Sequence, residues 1–340
     1  MILWLTMLLT GCSSDEADQT CGASEYRYPQ DTSLRFSHLQ ALGSHNSYHV
    51  ETTDGAIPEW EYTHASIGTQ LATQGVRQLE LDLYYNEFSG ELDVLHVPVL
   101  DPGSNCSTFS ACVTEIAEFS QQNPAHHPLL ILLEFKSAYS EDEAEAWLSR
   151  AETVLSEEMG TSLLVLPSAV RGEHPTLRQA LAVDGWPTLN TLRGKSLFVL
   201  HSGGSLRQDY VDNRAPEDWL LFPDAGGDAQ LDYAAVHSVN DPIGSFEAIQ
   251  TLVESQHLVR TRADSNLEEG RALDDSRFLS ALESGAHFIS TDFAVPQAGL
   301  DYSIDIPEGT PSRCNPILAP ASCSPSDIEN PEFINRCLAD

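Results

Sequence analysis

The stretch LLILLEFK, residues 129–136, decides the fold class of this chain. Its unbroken run of Leu and Ile is typical of a β-strand covered on both faces, as in a parallel sheet flanked by helices. The run ends in Glu134 and Lys136, which are two positions apart and therefore lie on one face of a strand. Polar side chains at the downstream end of a buried strand indicate an α/β enzyme.

The same pattern recurs along the chain, and it predicts about eight strands separated by helices. The predicted strands are Leu39–Gly43, Val76–Tyr84, Leu129–Phe135, Ser162–Leu166, Ser196–His201, Leu220–Phe222, Leu258–Thr261 and Phe288–Thr291. The plainest helical patterns are Glu141–Glu158, Phe246–Ser255 and Asp274–Ser284. This order predicts a (β/α)8 TIM-like barrel, and a doubly wound sheet is the alternative that periodicity leaves open.

The N-terminal segment is predicted to direct export. Residues 1–12 form a short apolar stretch that ends in Leu9-Thr10-Gly11-Cys12, which resembles the lipobox of bacterial lipoproteins, with Cys12 as the lipidated residue. Residues 13–33 then form an acidic tether, 34–300 the barrel, and 301–340 a Pro- and Cys-rich extension. We expect a lipid-anchored protein of the bacterial cell envelope (outer membrane, periplasm or cell surface), or a secreted one.

Cysteine usage favours an oxidising compartment. Cys12 apart, six cysteines remain, and they predict up to three disulfides, some of which tie the irregular C-terminal extension. They are Cys21, Cys106, Cys112, Cys314, Cys323 and Cys337. No Cys-x-x-Cys or paired Cys/His spacing supports a zinc site.

The charge balance limits the partners. The chain has 51 Asp and Glu residues against 17 Lys and Arg, a formal charge of −34. Such a surface repels nucleic acid and anionic membranes, so neither is expected as a nonspecific partner, and the sequence implies no obligate protein partner. An anionic substrate would need a local positive charge, yet Lys136 and Lys195 are the only lysines.

Chemically reactive side chains collect where predicted strands end. They are His45 and Asn46 after the first strand, Glu80 and Asp82 in the second, His96 in a later loop, and Glu134 and Lys136 at the end of residues 129–136. Neighbouring carboxylates that face a barrel interior need a cation or a proton between them. Oxygen ligands from Asn46, Glu80, Asp82 and Glu134 would suit Ca²⁺ better than Mg²⁺.

Each of these residues also has a structural interpretation. Glu80 could pair with Arg77, Lys136 could be a solvated loop residue, and His96 could cap a turn. We expect Lys136 to meet a substrate phosphate. Arg260 and Arg262 share one face of a later strand and are predicted either to bind substrate or to form salt bridges with Asp264 or Asp292.

Three further histidines lie next to or within predicted strands. His126 and His127 precede the strand at residue 129 and are expected to be surface residues at the bottom of the barrel. His201 ends a predicted strand and could line the site.

In order, these segments resemble the bacterial calcium-dependent phosphoinositide-specific phospholipase C family, a branch of the barrel phosphodiesterases. The resemblance extends from Leu39 to Cys323. The segments that carry it are Ser44–Tyr48, Arg77–Asp82, His96, Leu130–Glu134, Val259–Asp264, Arg271, Gly285–Phe293 and Arg313–Pro316.

The resemblance implies a distorted TIM barrel in which Asn46, Glu80, Asp82 and Glu134 hold Ca²⁺. A carboxylate of the site, or His45, would take the proton of the inositol 2-hydroxyl. His45 would also stabilise the transition state, and His96 would protonate the leaving diacylglycerol. The products would be diacylglycerol and inositol 1,2-cyclic phosphate. Two alternatives remain: a related barrel phosphodiesterase that acts on glycerophosphodiesters or sphingolipids, and a non-catalytic surface lipoprotein that binds Ca²⁺ or headgroups.

Overall fold

A computed structural model of the chain describes residues 28–136, 141–297 and 299–335. The strands are β1 (Leu39–Ser44), β2 (Val76–Asn86), β3 (Glu91–Val94), β4 (Leu129–Phe135), β5 (Ser196–Leu200), β6 (Phe222–Pro223), β7 (Val236–Ser238), β8 (Leu258–Arg262), β9 (Phe288–Thr291) and β10 (Arg313–Cys314). The helices are α1 (Ile67–Thr73), α2 (Phe109–Gln122), α3 (Glu141–Glu158), α4 (Pro167–Arg171), α5 (Leu177–Asp184), α6 (Leu189–Leu192), α7 (Gly204–Asn213), α8 (Phe246–Glu254), α9 (Glu268–Ala272), α10 (Ser276–Glu283) and α11 (Pro325–Ile328).

Eight parallel strands form the barrel, in the spatial order β6-β5-β4-β2-β1-β9-β8-β7. The two end strands, β6 and β7, meet through one parallel bridge between Asp224 and Val236. The chain therefore closes into the predicted TIM-like barrel, and the doubly wound alternative is wrong. The run Leu129–Leu133 is fully buried, as expected for a strand covered on both faces.

Strand β2 places polar side chains in the interior of the barrel. Alternate residues of a strand face opposite sides, so leucines on one face pack in the core while Gln78, Glu80 and Asp82 share the other face. Gly43 of β1 is the register partner of Gln78, and a Cβ atom at Gly43 would lie 2.0 Å from Gln78 Oε1. Glycine at this position therefore leaves the space that the Gln78 side chain occupies.

One predicted strand is absent and another is displaced, since β6 is Phe222–Pro223 and not Leu220–Phe222. Ser162–Leu166 is not a strand, because the chain makes a short 3₁₀ turn at Thr161–Leu163 and only one bridge, from Leu164 to Ser196, joins it to β5. The missing barrel strand is β7, whose three residues are too few for a periodicity signal. Strand β3 also escaped prediction; it pairs antiparallel with the long end of β2.

The C-terminal extension packs against the bottom of the barrel. Strand β10 pairs antiparallel with β1, and buried Glu329, which follows α11, forms an ion pair with Arg77 at the start of β2. At the other end of the described chain, Asp31 forms an ion pair with Arg193, whose guanidinium lies 3.4 Å from the Tyr28 ring centroid. The last residues of the predicted tether, 28–33, therefore contact the barrel domain.

Two disulfides lie within the described residues. Cys106–Cys112 closes a loop at the start of α2, and Cys314–Cys323 closes one within the extension. Cys21 and Cys337 lie outside the described residues, as does the predicted lipobox with Cys12. Across the parts of the chain that the structure describes, no helix combines the length and apolar character needed to span a bilayer.

Candidate active site

The predicted site residues converge on the C-terminal end of the barrel, where TIM barrels carry their chemistry. His45 and Asn46 follow β1, Glu80 and Asp82 lie in β2, Glu134 and Lys136 lie at the end of β4, and Arg260 and Arg262 lie in β8. His96 follows β3, in the loop that leads to α2. Each is therefore placed by the strand that precedes it or contains it.

His45 is held in one orientation by a buried aspartate. Its Nδ1 lies 2.7 Å from Asp292 Oδ1, and its Nε2 lies 3.1 Å from Arg262 Nη1. Burial and then the nearby Arg262 guanidinium lower the pKa of His45 well below its usual value. The ring is therefore neutral, donates from Nδ1 and carries its lone pair on Nε2.

A second carboxylate supports this pair. The backbone N–H of Asp292 donates to Asp264 Oδ1 at 3.1 Å, and the Thr291 hydroxyl donates to Asp264 Oδ2. Arg262 bridges the two acids, 3.1 Å from Asp292 and 3.6 Å from Asp264. Burial and the neighbouring Asp292 raise the pKa of Asp264 to about 7. The predicted salt bridges of Arg262 with these two acids are present.

His96 has its own buried aspartate. Its Nδ1 lies 2.9 Å from Asp101 Oδ2, and the same oxygen lies 2.7 Å from His49 Nε2. Thr52 donates to the other oxygen of Asp101 at 3.0 Å. Burial lowers the pKa of His96, while the hydrogen bond to Asp101 opposes that shift. His96 is thus fixed through Nδ1 by Asp101, and this contact, not the capping of a turn, accounts for its orientation.

Glu80 pairs with Arg260 and not with Arg77. Arg260 donates to Glu80 Oε2, whereas Arg77 points to the bottom of the barrel and pairs with Glu329. Burial would raise the pKa of Glu80, but the charge of Arg260 lowers it to about 2. Arg260 therefore keeps this buried carboxylate ionised in the barrel interior.

Asp82 and Glu134 are register partners on adjacent strands, and Lys136 lies between them. Lys136 Nζ is 2.8 Å from Glu134 Oε1 and 3.3 Å from Asp82 Oδ2. Asp82 is fully buried, and neither of its oxygens accepts a well-directed hydrogen bond in the described structure. Burial, opposed by Lys136 and reinforced by Glu134, raises the pKa of Asp82 to about 8. A buried carboxylate without such hydrogen bonds is stable only beside a cation or with a bound proton.

Among the described residues, Glu80 and Glu134 form a possible metal group with a third residue, His201. One ligand atom from each lies within 4.8 Å of the other two. Asp82 is not in this group, and Asn46 instead donates to Tyr62 Oη at 3.3 Å. The oxygens of Glu80, Glu134 and Asp82 suit a divalent cation such as Ca²⁺, and the unsatisfied oxygens of Asp82 fit that assignment.

Sequence reasoning did not assign the aspartates that orient the three site histidines. They are Asp292 for His45, Asp101 for His96 and Asp224 for His201. Asp292 follows β9 and Asp224 follows β6, so the strand-end rule that identified Glu134 could also have found them. Asp101 lies in the loop after β3, where no periodic pattern marks it.

As a whole, the site can move protons and bind negative charge. Two histidines whose Nδ1 atoms are held by aspartates can transfer protons at Nε2, one as a neutral base and one as a protonated acid, the carboxylates can hold a cation, and Arg262 with Lys136 can bind an anion. This combination is suited to cleavage of a phosphodiester.

Comparison with known proteins agrees with this chemistry. The family model described as "Phosphoinositide phospholipase C, Ca2+-dependent" matches residues 34–93 and 89–316. No curated protein matches the chain.

Two solved bacterial enzymes share the fold. A calcium-dependent phosphoinositol-specific phospholipase C from a Pseudomonas species, also crystallised with myo-inositol, has a TM-score of 0.58 at 18% identity and covers 80% of this chain and 95% of its own. A Ca²⁺-dependent phosphatidylinositol-specific phospholipase C from Streptomyces antibioticus has a TM-score of 0.56 at 17% identity, covering 77% and 96%. Because the family model matches most of its residues, the chain belongs to the calcium-dependent phosphoinositide phospholipase C family, a family of phosphodiesterases.

Proposed function

We propose that this protein cleaves phosphatidylinositol-type lipids between phosphate and diacylglycerol. The observation that carries the proposal is the pairing of His45 with Asp292 and of His96 with Asp101 at the barrel mouth that also holds the carboxylates of Glu80, Asp82 and Glu134. Such a site offers one histidine for each of the two proton transfers that a phosphodiester cleavage needs.

A divalent cation belongs to this proposal. Glu80, Asp82 and Glu134 would hold it, with Asn46 as the amide ligand that the sequence predicts. When bound, Ca²⁺ supplies positive charge that acidifies a hydroxyl group and offsets charge on a phosphoryl oxygen. The buried, unsatisfied oxygens of Asp82 support this assignment.

His45 accepts the first proton. Its Nδ1–H is fixed by Asp292, so Nε2 carries the lone pair that can take the proton of the inositol 2-hydroxyl. Arg262 lies 3.1 Å from that nitrogen, so its guanidinium is placed to hold the phosphate beside the base. Because the nucleophile is part of the substrate, attack on phosphorus requires no second encounter and yields inositol 1,2-cyclic phosphate.

His96 donates the second proton. Asp101 fixes its Nδ1–H, so when the ring is protonated its Nε2–H can be transferred to the leaving oxygen of diacylglycerol, which leaves the neutral ring. Its side chain is 19% exposed, which leaves the ring accessible from the mouth. Lys136 stays close to Asp82 and Glu134 and adds positive charge next to the phosphate.

The protein is also proposed to work at a membrane surface outside the cytoplasm. A lipid on Cys12 would anchor it, and the acidic segment after Cys12 would connect the anchor to the barrel. Loss of membrane association in Cys12→Ser, with a barrel that still folds, would support this part; unchanged fractionation of that variant would contradict it.

The substrate class is tested by identifying the phosphorus-containing product of the reaction. The protein is incubated with phosphatidylinositol vesicles and Ca²⁺, and ³¹P NMR identifies the product. We expect the cyclic phosphate to form and turnover to stop when EGTA removes the cation. His174→Ala is the matched control, because His174 is a histidine paired with Asp184 at the surface.

Two outcomes would contradict the proposal. If glycerophosphocholine is cleaved with Mg²⁺ alone and phosphatidylinositol is not, the substrate class is the glycerophosphodiesters. If His45→Ala and His96→Ala leave turnover intact, the assigned proton transfers are wrong.

A further inference from the structure

Four ionisable residues form one row across the mouth of the barrel, and two of them have no part in the proposed reaction. Asp82 of β2 is the register partner of Glu134 of β4. His201, at the end of β5, is the next residue of the row after Glu134, because its backbone N–H donates to Leu133 O of β4 at 2.9 Å. Asp224, at the end of β6, follows His201, because its backbone N–H donates to Leu200 O of β5 at 3.1 Å. The row therefore reads Asp82, Glu134, His201, Asp224, with all four side chains on one face.

Asp224 determines which nitrogen of His201 faces the site. Its Oδ2 lies 2.6 Å from His201 Nδ1, while its Oδ1 accepts the backbone N–H groups of Gly226 and Ser238 at 2.9 and 3.0 Å. The carboxylate is therefore fixed on both sides. Because Nδ1 donates to it, Nε2 is the nitrogen of His201 that faces another partner, and it presents a lone pair when the ring is neutral.

That partner position lies next to the two glutamates. His201, Glu80 and Glu134 each offer a ligand atom within 4.8 Å of the others. Arg260 engages Oε2 of Glu80 and Lys136 engages Oε1 of Glu134, so the other oxygen of each carboxylate lies outside these two ion pairs. A histidine whose second nitrogen is held by a carboxylate is the usual arrangement of a metal ligand.

We propose that His201 Nε2 is a nitrogen ligand of the divalent cation held by Glu80 and Glu134. Imidazole nitrogen binds Zn²⁺ and Mn²⁺ more readily than it binds Ca²⁺, which prefers oxygen. The site then takes a borderline transition metal as well as Ca²⁺, and the histidine sets the preference between them. The inference rests on the cation site of the proposed function and is independent of the lipid substrate.

The test compares the binding of Zn²⁺ and Ca²⁺ to the whole protein by isothermal titration calorimetry. His201→Gln keeps a donor for Asp224 but removes the aromatic nitrogen, and His174→Gln is the matched control at the surface. We expect His201→Gln to weaken Zn²⁺ binding about tenfold or more and Ca²⁺ binding less than about threefold, whereas His174→Gln changes neither. Equal affinities of wild type and His201→Gln for Zn²⁺ would overturn the proposal.

A spectroscopic measurement identifies the ligand atom directly. In ¹⁵N-labelled protein, Zn²⁺ should shift the Nε2 resonance of His201 and leave its Nδ1–H bonded to Asp224. A Zn²⁺-induced shift at other histidines with none at His201 would also overturn the proposal. Neither readout uses phosphatidylinositol, so absence of lipid cleavage would contradict the proposed function without affecting this result.

Discussion

The two ends of the barrel both bury ionisable groups, but they treat them differently. At the C-terminal end, the side chains of His45, His96 and His201 are each 19% exposed, and each uses Nδ1 to contact an aspartate. At the N-terminal end, His126 and His127 are fully buried and both nitrogens of each ring have partners. At the C-terminal end only Nδ1 of each ring is held by a carboxylate, and Nε2 of His45 contacts Arg262. At the N-terminal end both nitrogens of each ring are held within the fold.

The carboxylates show the same contrast. Glu329 at the bottom accepts from the Arg77 guanidinium at both oxygens and also from the backbone N–H of His127. Asp82 at the top lies 3.3 Å from Lys136 Nζ, but neither of its oxygens accepts a well-directed hydrogen bond in the described structure. Complete satisfaction indicates a structural role, whereas an incomplete buried site indicates a place for a ligand.

The largest expected effect is at the Nε2 atom of His45. His45→Ala should lower kcat/KM for phosphatidylinositol by roughly 10³-fold, or about 4 kcal/mol, because the base that takes the hydroxyl proton is lost. Steady-state hydrolysis of vesicles measures the rate, and thermal unfolding should stay near wild type. A variant with wild-type kcat/KM would remove the contrast between the two ends.

At the bottom, the effect should fall on stability. Glu329→Ala leaves the Arg77 guanidinium buried and unpaired, which should lower the free energy of unfolding by about 3 kcal/mol. Urea unfolding measures it, with Glu217→Ala as the control because Glu217 forms an exposed ion pair with Arg171. Glu329→Gln is the milder variant if the alanine does not fold. A loss of kcat without loss of stability would show that this end also serves catalysis.

Asp101 should affect catalysis through His96. Asp101→Asn should lower kcat by roughly 10²-fold on phosphatidylinositol, because His96 loses its fixed Nδ1–H orientation. The loss should nearly vanish on an inositol phosphodiester with a p-nitrophenol leaving group, which needs no general acid. In the His96→Ala background the same substitution should add nothing. Equal losses on both substrates would indicate a purely structural role for Asp101.

The smallest effect depends on pH. Burial lowers the pKa of His127 to about 3, below its ordinary value of 6.5. Below pH 6.5 the unfolded chain therefore binds a proton that the folded one does not, and stability falls as the pH falls, by about 1.4 kcal/mol per pH unit for this residue. His127→Gln should reduce the slope between pH 6 and 4.5 by that amount in urea unfolding. An unchanged slope would mean that His127 is protonated in the folded protein.

The barrel and the order of its polar groups could be predicted from the sequence wherever the signals are local. The unbroken apolar run before Glu134 predicts a doubly covered strand, and alternation in β2 places Glu80 and Asp82 on one face. Strand β7 was not predicted, and β6 was predicted too early in the chain. With three and two residues, these strands are too short to show an alternating pattern of apolar and polar residues.

Pairing across the fold was not predictable in the same way. His126 and His127 were expected at the surface, which is wrong, because the C-terminal extension covers them and Ser312 reaches the His127 ring at 2.7 Å. The partner of Glu80 is 180 residues away in sequence. Such contacts depend on closure of the barrel, and a local pattern contains no information about which distant strand closes it.

The single bridge between β6 and β7 also bears on motion. Asp224 forms that bridge with Val236, accepts the backbone N–H of Ser238 and orients His201, so one residue joins the closing seam to the catalytic mouth. Short pairings open more readily than long ones. Amide hydrogens along this seam should therefore exchange with solvent sooner than those of β2 and β4, and each brief opening would release His201 from its fixed orientation while the rest of the barrel stays closed.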